Sequence, residues 1–260
     1  MFELSNDGKT LIKYHGTDSD VVVPSGVEII GSEAFKMNTS IRSVVLPDGL
    51  KRIESCAFDS CLALESLSIP SSLEFVGVYS FRLTIHLREI RLPDGLETLT
   101  LAGAAFREAG IVSFDIPKRV SIIHDDCFSG CHGLQSMTIP GNVETIGCYS
   151  FNWCINLKKL VVEEGVKRID RRAFYDCTWL MDVFLPASLE CLHVCAFEHC
   201  GSLKSIHVKW TSIPEYINRL DNFLEECAPL ERVTLYVPSG TKGIYEQCSQ
   251  FSRFKDIIEE

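Results

Sequence analysis

The sequence lacks any long apolar run, although 46% of its residues are hydrophobic. None of its apolar stretches approaches the roughly 18 residues that a membrane-spanning helix requires, so we predict no membrane insertion. The first residues, MFELSNDGKT, also lack the basic segment and following apolar segment of a secretory signal. The sequence as written therefore predicts a cytoplasmic protein, with the cell surface or secretion as the alternative if a leader was removed.

Positive charge is scarce as well. The chain has 25 Lys and Arg residues against 35 Asp and Glu residues, which gives a net charge of −10 at pH 7. Phosphate backbones require clusters or stripes of basic side chains, so we do not predict a nucleic-acid partner.

Recognisable catalytic motifs are missing too. The chain has no G-x-S-x-G, G-x-x-x-x-G-K-[ST], H-E-x-x-H or G-x-G-x-x-G motif. Its 12 Cys and seven His residues would allow a thiol nucleophile with a histidine base, but no catalytic signature surrounds any of them. We therefore predict that the protein is not an enzyme and needs no cofactor.

What the sequence has instead is a repeat of 23 residues. Prolines recur at steps of 23, 23, 23, 24, 23 and 46 residues, at positions Pro24, Pro47, Pro70, Pro93, Pro117, Pro140 and Pro186. Phenylalanines follow the same period, at positions Phe35, Phe58, Phe81, Phe106, Phe128, Phe151, Phe174 and Phe197. The spacing of the phenylalanines changes to 25 and then 22 around Phe106, where we expect the least regular structure.

Each repeat predicts one short strand. The aligned units read L-x-x-L-x-L-P-x-x-L-x-x-I-x-x-x-A-F-x-x-C, as in LQSMTIPGNVETIGCYSFNWC (134–154). Apolar residues alternate before each proline, and a period of two is typical of a strand with one face inward. The proline ends the strand because it has no N–H to donate to the sheet. A single coil cannot bury its apolar side, whereas stacked coils can, so we predict a solenoid.

This pattern resembles the leucine-rich repeat, and within it the BspA-like class of 23-residue units with an A-F-x-x-C signature. The resemblance covers roughly residues 10 to 210. It implies an α/β repeat solenoid, a right-handed stack of short strands with irregular or short helical turns, capped at both ends. Related repeats from bacteria and protists are associated with adhesion and host contact, so the resemblance also implies a binding function.

The segment CAFDSC (56–61) contains the most regular cysteine of the repeat. The second cysteine of such segments lies three residues after the phenylalanine, whereas the first one shifts or is absent, unlike the fixed spacing of a metal clip. We interpret the fixed position as a structural ladder, because leucine-rich repeats place Asn or Cys there. The ladder comprises Asn38, Cys61, Cys131, Cys154, Cys177 and Cys200. Their parallel Cβ vectors disfavour disulfides, so we predict reduced thiols in a reducing compartment.

The segment CLHVCAFEHC (191–200) is the one place where a metal site is an alternative. Such a site would use Cys191, His193, Cys195 and His199. However, Cys200 is a ladder position and the other residues occupy ordinary outer positions of the repeat. We therefore predict no metal, and keep a metal- or thiol-dependent protein centred on residues 191–200 as an alternative function.

The two ends of the chain depart from the repeat, and we expect them to cap a single domain spanning residues 1–260. Residues 1–23 predict a capping hairpin with a turn at 6–8, and residues 24–209 hold the repeats. Residues 210–260 predict a second cap, with a helical insertion at 210–230, a strand at 232–237 and a helix N-capped by Ser239. The insertion places four apolar residues at helical spacing, namely Ile217, Leu220, Phe223 and Leu224.

The outward-pointing strand residues give the candidate binding site. Val161, Phe184 and His207 fall at the same outward position of three consecutive coils, with Lys159 and Asp182 at their rim. An apolar centre with a polar rim is typical of a contact patch. We predict a monomer that binds an unknown protein through this patch, with a glycan or a host surface protein as alternative partners. The remaining alternative is a structural spacer of a surface protein, whose strand face binds nothing.

Overall fold

The computed structural model describes residues 1–88, 90, 99–193, 195–218 and 227–260. Within these ranges the chain forms a β-solenoid of stacked coils, as expected for a leucine-rich repeat protein, with 19 short strands and two short helices. The strands are β1 (Phe2–Leu4), β2 (Thr10–Tyr14), β3 (Asp20–Val22), β4 (Ile29–Ile30), β5 (Ser43–Val45), β6 (Arg52–Ile53), β7 (Ser66–Ser68), β8 (Phe75–Val76), β9 (Thr100–Leu101), β10 (Ile122–Ile123), β11 (Ser136–Ile139), β12 (Thr145–Ile146), β13 (Lys159–Val162), β14 (Arg168–Ile169), β15 (Asp182–Leu185), β16 (Cys191–Leu192), β17 (Ser205–Val208), β18 (Thr234–Val237) and β19 (Asp256–Glu259). The helices are α1 (Glu215–Asn218) and α2 (Lys242–Gln247), and 3₁₀ turns occur at Leu230–Arg232 and Ser249–Phe251.

Two parallel ladders of strands run along the solenoid. The first contains β3–β5–β7 and β11–β13–β15–β17–β18–β19, and we call its outer surface the strand face. The second contains the two-residue strands β4–β6–β8–β9, which follow β2, and β10–β12–β14–β16. Ser136 pairs with Lys159, and Lys159 pairs with Asp182, one repeat apart at each step. Equivalent residues of successive coils therefore form straight rows on the surface.

Most strands of the strand face end in a tight turn, which usually begins with proline. The carbonyl of Pro24 accepts a hydrogen bond from the N–H of Val27, three residues later. The third residue of this turn is Gly26, whose φ of +92° is a conformation that L side chains rarely adopt. The proline and glycine positions of the repeat thus mark where one ladder ends and the chain turns toward the other.

The A-F segment of each repeat forms a turn with an unusual backbone. In the turns around Phe35 to Phe174 the residues two before and two after the phenylalanine have positive φ, between 55° and 60° where they are not glycine, and His199, two after Phe197, has a φ of 64°. Alternate N–H groups then point to the next coil, as where Phe58 donates to Ser80 and Ser60 donates to Arg82 over 2.8 and 2.7 Å. These bonds pair the backbone without a helix, so the described repeat turns are of the irregular kind.

The phenylalanines of the repeat form a continuous spine inside the solenoid. Each ring of the eight is at most 2% exposed. Neighbouring rings stack with centroids 4.7–5.4 Å apart and planes within 10° of parallel. Burying an aromatic side chain in this way stabilises a fold by several kcal/mol, so the spine is a major part of the core.

The change of spacing around Phe106 interrupts the strands but leaves the core intact. The second ladder divides here into a segment ending at β9 and a segment beginning at β10. Phe106 nevertheless stacks on both neighbouring phenylalanines, at 5.3 and 5.4 Å. Phe114 packs tilted against Phe106 and Phe128, with centroids 5.3 and 4.9 Å away. An additional buried aromatic therefore fills the space in the irregular coil.

At the N-terminal end, β1 and β2 form an antiparallel hairpin. Its turn includes Gly8, with a φ of +72°. Strand β3 also lies within residues 1–23, but it pairs in parallel with β5 and forms the first strand of the strand face. The regular stack therefore begins before residue 24, on the strand side.

At the C-terminal end, two further strands extend the strand face. Strand β18 pairs with β17, and β19 pairs with β18, both in parallel. The helix after β18 has Thr241 at its N-cap position, without a side-chain capping bond, so the prediction of Ser239 as the cap was wrong. The Ser239 hydroxyl lies 3.4 Å from the carbonyl of Glu260 instead, since residue 239 is still in the turn after Pro238.

The insertion is described only in part. Ile217 of α1 is fully buried, whereas the predicted core residues Leu220, Phe223 and Leu224 lie outside the described residues. Trp210 is also buried; its Nε1 donates to the carbonyl of Pro186, and its own carbonyl accepts from the hydroxyl of Tyr245. In the part of the chain that the structure describes, no helix is long and apolar enough to cross a membrane.

Candidate functional site on the strand face

The strand face of the last five coils carries one continuous outward row. The pairing of β13, β15 and β17 places Val161 beside Phe184, and Phe184 beside His207. The row then continues through Tyr236 on β18 and Ile258 on β19. We call these five residues, with Lys159 and Asp182 beside them, the aromatic row. The structure thus brings all five sequence-predicted patch residues together.

The three rings of the aromatic row stack on one another. The centroids of Phe184 and His207 are 4.1 Å apart with planes 13° from parallel, and those of His207 and Tyr236 are 4.3 Å apart at 3°. This spacing follows from the roughly 4.8 Å between adjacent strands, which holds equivalent side chains face to face. Because neighbouring rings cover one another's faces, it is mainly the ring edges that lie at the surface.

A row of polar residues runs beside the rings. It consists of Lys159, Asp182 and Ser205, each two residues before its neighbour in the aromatic row on the same strand. The hydroxyl of Ser205 donates to Asp182 over 2.7 Å, which fixes the carboxylate next to β17. The ammonium of Lys159 lies 5.1 Å from the centre of the Phe184 ring, within cation–π range. Charged groups of both signs therefore border the apolar centre, on the side away from the proline turns.

His207 is largely enclosed within the aromatic row, with its side chain 17% exposed. Its Nδ1 lies 3.0 Å from both carboxylate oxygens of Glu260, which suits an Nδ1–H donor. Its Nε2 lies 3.2 Å from the hydroxyl of Ser205. These contacts, with a ring on either face, hold the imidazole in one orientation.

The sequence analysis missed Tyr236, Ile258 and Glu260. A signal for Tyr236 was present, because it stands two residues before Pro238, as Phe184 stands two before Pro186. The preceding insertion broke the count of 23 and hid this equivalence. Ile258 has no proline after it, so only its place in a short alternating segment marks it. The site is therefore larger than the predicted patch by two strands.

The ladder residues lie inside the coils, away from the strand face. Each of the five ladder thiols donates from Sγ to the carbonyl of the phenylalanine of the preceding coil, over 3.1–3.2 Å. All five are fully buried and are free thiols. Burial raises the pKa of the Cys61 and Cys154 thiols to about 12. Thiols in this state are poor nucleophiles.

Asn38 occupies the ladder position of the first coil with stronger hydrogen bonds. Its Nδ2 donates to the carbonyl of Gly16, and its Oδ1 accepts from the N–H groups of Ser40 and Ile41. The side chain is half-buried rather than buried. An amide therefore links the first coil to the N-terminal cap, where no earlier phenylalanine carbonyl is available.

The alternative metal site at 191–200 does not assemble among the described residues. In that part of the chain, which leaves out Val194, no three His, Cys, Asp or Glu side chains converge as metal ligands would. His199 instead has its Nδ1 3.5 Å from Asp176 of the preceding coil. Burial, together with the charge of Arg171, lowers the pKa of His193. The described residues of this segment therefore occupy ordinary positions of the repeat and do not form a shared site.

Comparisons with known proteins agree with the repeat. A family model described as a BspA type leucine rich repeat region matches residues 13–103 and 100–220, in six copies. No curated protein matches the sequence.

Solved structures similar to this chain come from bacteria. One is a leucine rich cell surface protein from Faecalibacterium prausnitzii, 16% identical, with 100% of this chain and 92% of that chain covered and a TM-score of 0.49. Another is a leucine-rich repeat protein from Bacteroides ovatus, 19% identical, with coverage of 99% and 98% and a TM-score of 0.48. The pneumococcal vaccine antigen PcpA is 18% identical, with coverage of 100% and 82% and a TM-score of 0.39.

Proposed function

Because the chain belongs to the BspA-type leucine-rich repeat family, we propose that it is a non-catalytic module that binds a protein partner through the aromatic row. The observation that carries this proposal is the stacked Phe184–His207–Tyr236 series on the surface of a regular sheet. Tyrosine and other aromatic side chains are enriched among the residues that dominate protein–protein binding.

The dimensions of the aromatic row suit a protein partner. From β13 to β19 the row crosses four strand spacings, which is about 19 Å. A protein–protein interface of standard size buries about 800 Å² on each partner, so a row of this length can form its centre. Lys159, Asp182 and Glu260 supply the polar rim that such interfaces have.

The fold does not need these aromatic residues for its own core. The inward residues of β15, Val183 and Leu185, are at most 3% exposed, whereas Phe184 between them is only half-buried. The C-terminal residues that the structure describes extend the strand face, and α1 packs at β16 of the second ladder. The row is therefore held in place by the sheet and remains accessible.

The ladder thiols support a reducing compartment as the place where the protein acts. The five cysteines occupy adjacent or nearby coils as free, buried thiols. Proteins in oxidising compartments more often carry disulfides, so a cytoplasmic location is the proposal that fits these residues. A partner from the cell surface, a host protein or a glycan remains an outcome of the binding test below.

The binding test compares the wild type with a Phe184→Glu/His207→Glu double variant. Proteins captured from extracts of the organism that produces this chain would be identified, purified and titrated against each variant. We expect the double variant to bind the purified partner more than about 100-fold more weakly, since it places two carboxylates in the centre of the interface. Val45→Glu is the matched control, because Val45 lies on the same outward row in an early coil and is 47% exposed.

Two outcomes would contradict the proposal. One is a partner that binds the double variant, with native circular dichroism, as tightly as it binds the wild type. The other is a partner lost by Val45→Glu and retained by the double variant, which would move the site to the early coils.

A further inference from the structure

A second exposed aromatic cluster lies outside the strand face. Trp153 and Trp179 are 50% and 57% exposed, whereas the third tryptophan of the chain, Trp210, is 3% exposed. Ile155, between the first two, is 37% exposed. Large exposed tryptophans contribute little to folding, so their grouping on consecutive coils calls for another explanation.

Hydrogen bonds tie each of the two tryptophans to the neighbouring coil. The Nε1 of Trp153 donates to Asp176 of the next coil over 3.0 Å. The N–H of Trp179 donates to the carbonyl of Ile155 over 3.3 Å. Both residues therefore lie at the corner where the A-F turn leads into the next strand, and the indole of Trp153 is held across the coil boundary.

Polar side chains extend the cluster, His132 from the preceding coil and Asn156 from the coil of Trp153 itself. The Nδ1 of His132 lies 2.9 Å from the carbonyl of Trp153, and the Nδ2 of Asn156 donates to the carbonyl of His132 over 2.8 Å. These bonds engage the Nδ1 of His132 and the Nδ2 of Asn156, and both side chains lie at the exposed surface. We call the cluster of Trp153, Ile155, Trp179, His132, Asn156 and Asp176 the corner patch.

The turn position of Trp153 accepts many residue types. Its φ is +57°, and the equivalent residues of other coils, which include Ser60, Gly130 and Asp176, also have positive φ. The turn therefore does not itself require a tryptophan at this position.

The chemistry of the corner patch points to a neutral sugar. A pyranose ring has an apolar C–H face, which suits the electron-rich face of an indole, and a rim of hydroxyls that suits imidazole and amide groups. None of the six residues is Lys or Arg, and the whole chain carries a charge of −10, so an anionic ligand is disfavoured.

The size of the corner patch supports a small ligand. Its residues come from three consecutive coils, whose strands are spaced so that the patch spans about 10 Å along the solenoid. This length suits a few sugar rings and is about half the length of the aromatic row. We propose that the corner patch binds a neutral oligosaccharide by stacking on Trp153 and Trp179.

The test is direct titration of the purified protein against a printed array of neutral, sialylated and sulfated oligosaccharides. The strongest neutral binder is then titrated in solution by calorimetry, which serves every variant, and the tryptophan fluorescence of the wild type is followed as a second readout. We expect binding to shield Trp153 and Trp179 from acrylamide quenching. A Trp153→Ala/Trp179→Ala variant, whose emission comes from buried Trp210, should bind at least about tenfold more weakly.

Leu62→Ala is the matched control, because Leu62 lies four residues after its phenylalanine, as Ile155 does, and is 41% exposed. This variant and Phe184→Glu/His207→Glu should both bind the oligosaccharide as the wild type does. The second comparison separates the corner patch from the aromatic row, so either proposal can fail without the other.

Three outcomes would overturn the proposal. One is the absence of any neutral binder on the array, and another is a preference for sialylated or sulfated sugars. The third is equal affinity of the wild type and the folded double tryptophan variant for the neutral sugar. A protein partner that is lost from the tryptophan variant, with no sugar bound, would identify the patch as a protein site instead.

Discussion

The early and late coils of this solenoid have the same interior and different exteriors. Inside, Phe35 stacks on Phe58 at 4.7 Å, and Phe151 stacks on Phe174 at 5.2 Å, with nearly parallel rings in both pairs. Outside, the early strands present exposed valines and a serine at the outward row, namely Val22, Val45 and Ser68. The late strands present a stacked aromatic series at the same row.

This difference distinguishes the buried positions, which the repeat needs for folding, from the outward positions, whose residues can vary. A buried position must fill the same space in every coil, because protein interiors are close-packed. An outward position contacts only its row neighbours and water, so it can change without loss of the fold. The outward rows and corners are therefore where a repeat protein acquires its binding specificity.

The largest expected effect is the loss of a ring from the spine. Phe128→Ala should lower the free energy of unfolding by about 3–5 kcal/mol, because it empties a fully buried site between two stacked rings. Phe184→Ala, on the strand face, should cost about 1 kcal/mol, the value of a partly exposed ring contact. Denaturant titrations measure both, and a cost below about 1 kcal/mol for Phe128→Ala would contradict the position of the spine.

Thiol labelling compares the interior with the surface chemically. With a pKa near 12, Cys61 and Cys154 carry a thiolate far more rarely than an ordinary thiol, so the native protein should alkylate there at least about 1000-fold more slowly than after unfolding. The five half-buried cysteines should react first, namely Cys56, Cys148, Cys191, Cys195 and Cys248. Mass spectrometry of labelled peptides gives each rate. Rapid labelling of Cys154 in the native protein would show that its coil is not closed.

A smaller effect is expected from removing one ladder thiol. Cys154→Ala deletes a buried side chain and its bond to the carbonyl of Phe128, and should cost about 1–2 kcal/mol. Cys148→Ala, at a half-buried position of the same coil, should change stability by less than about 0.5 kcal/mol. Equal costs for the two variants would argue against a structural role for the ladder.

The fold followed from the sequence because repeated positions reinforce one another. The period of 23, the alternation before each proline and the fixed phenylalanine define the strands, turns and spine of the solenoid. The turns were less predictable. Two residues of most A-F turns take positive φ although nearly all of them are not glycine, and their bonding to the next coil depends on contacts between coils.

The candidate site was predictable only within the repeat. Val161, Phe184 and His207 could be placed because they keep the period, whereas Tyr236 follows the insertion and Ile258 follows a helix. Trp153 and Trp179 occupy different positions of their repeats, so the period alone does not group them. Trp153 and Asp176 do occupy equivalent positions of consecutive coils, but the hydrogen bond from the indole to the carboxylate depends on residue types that change from coil to coil. Such side-chain contacts need the structure.

The smallest expected effect is on the early part of the strand face. Ser68→Ala removes a hydroxyl from an exposed outward position and should leave the free energy of unfolding within about 0.5 kcal/mol of the wild type. Thermal denaturation of the two proteins measures the difference. A loss of more than about 1 kcal/mol would mean that the outward row supports the fold and would weaken the contrast with the interior.

Hydrogen–deuterium exchange of the protein, alone and with its purified partner, tests the central claim most directly. The account predicts that the partner protects the backbone of β15, β17 and β18, which carry Phe184, His207 and Tyr236, while β3, β5 and β7 exchange as before. Protection confined to β3, β5 and β7 would contradict it, because the early coils would then hold the binding surface.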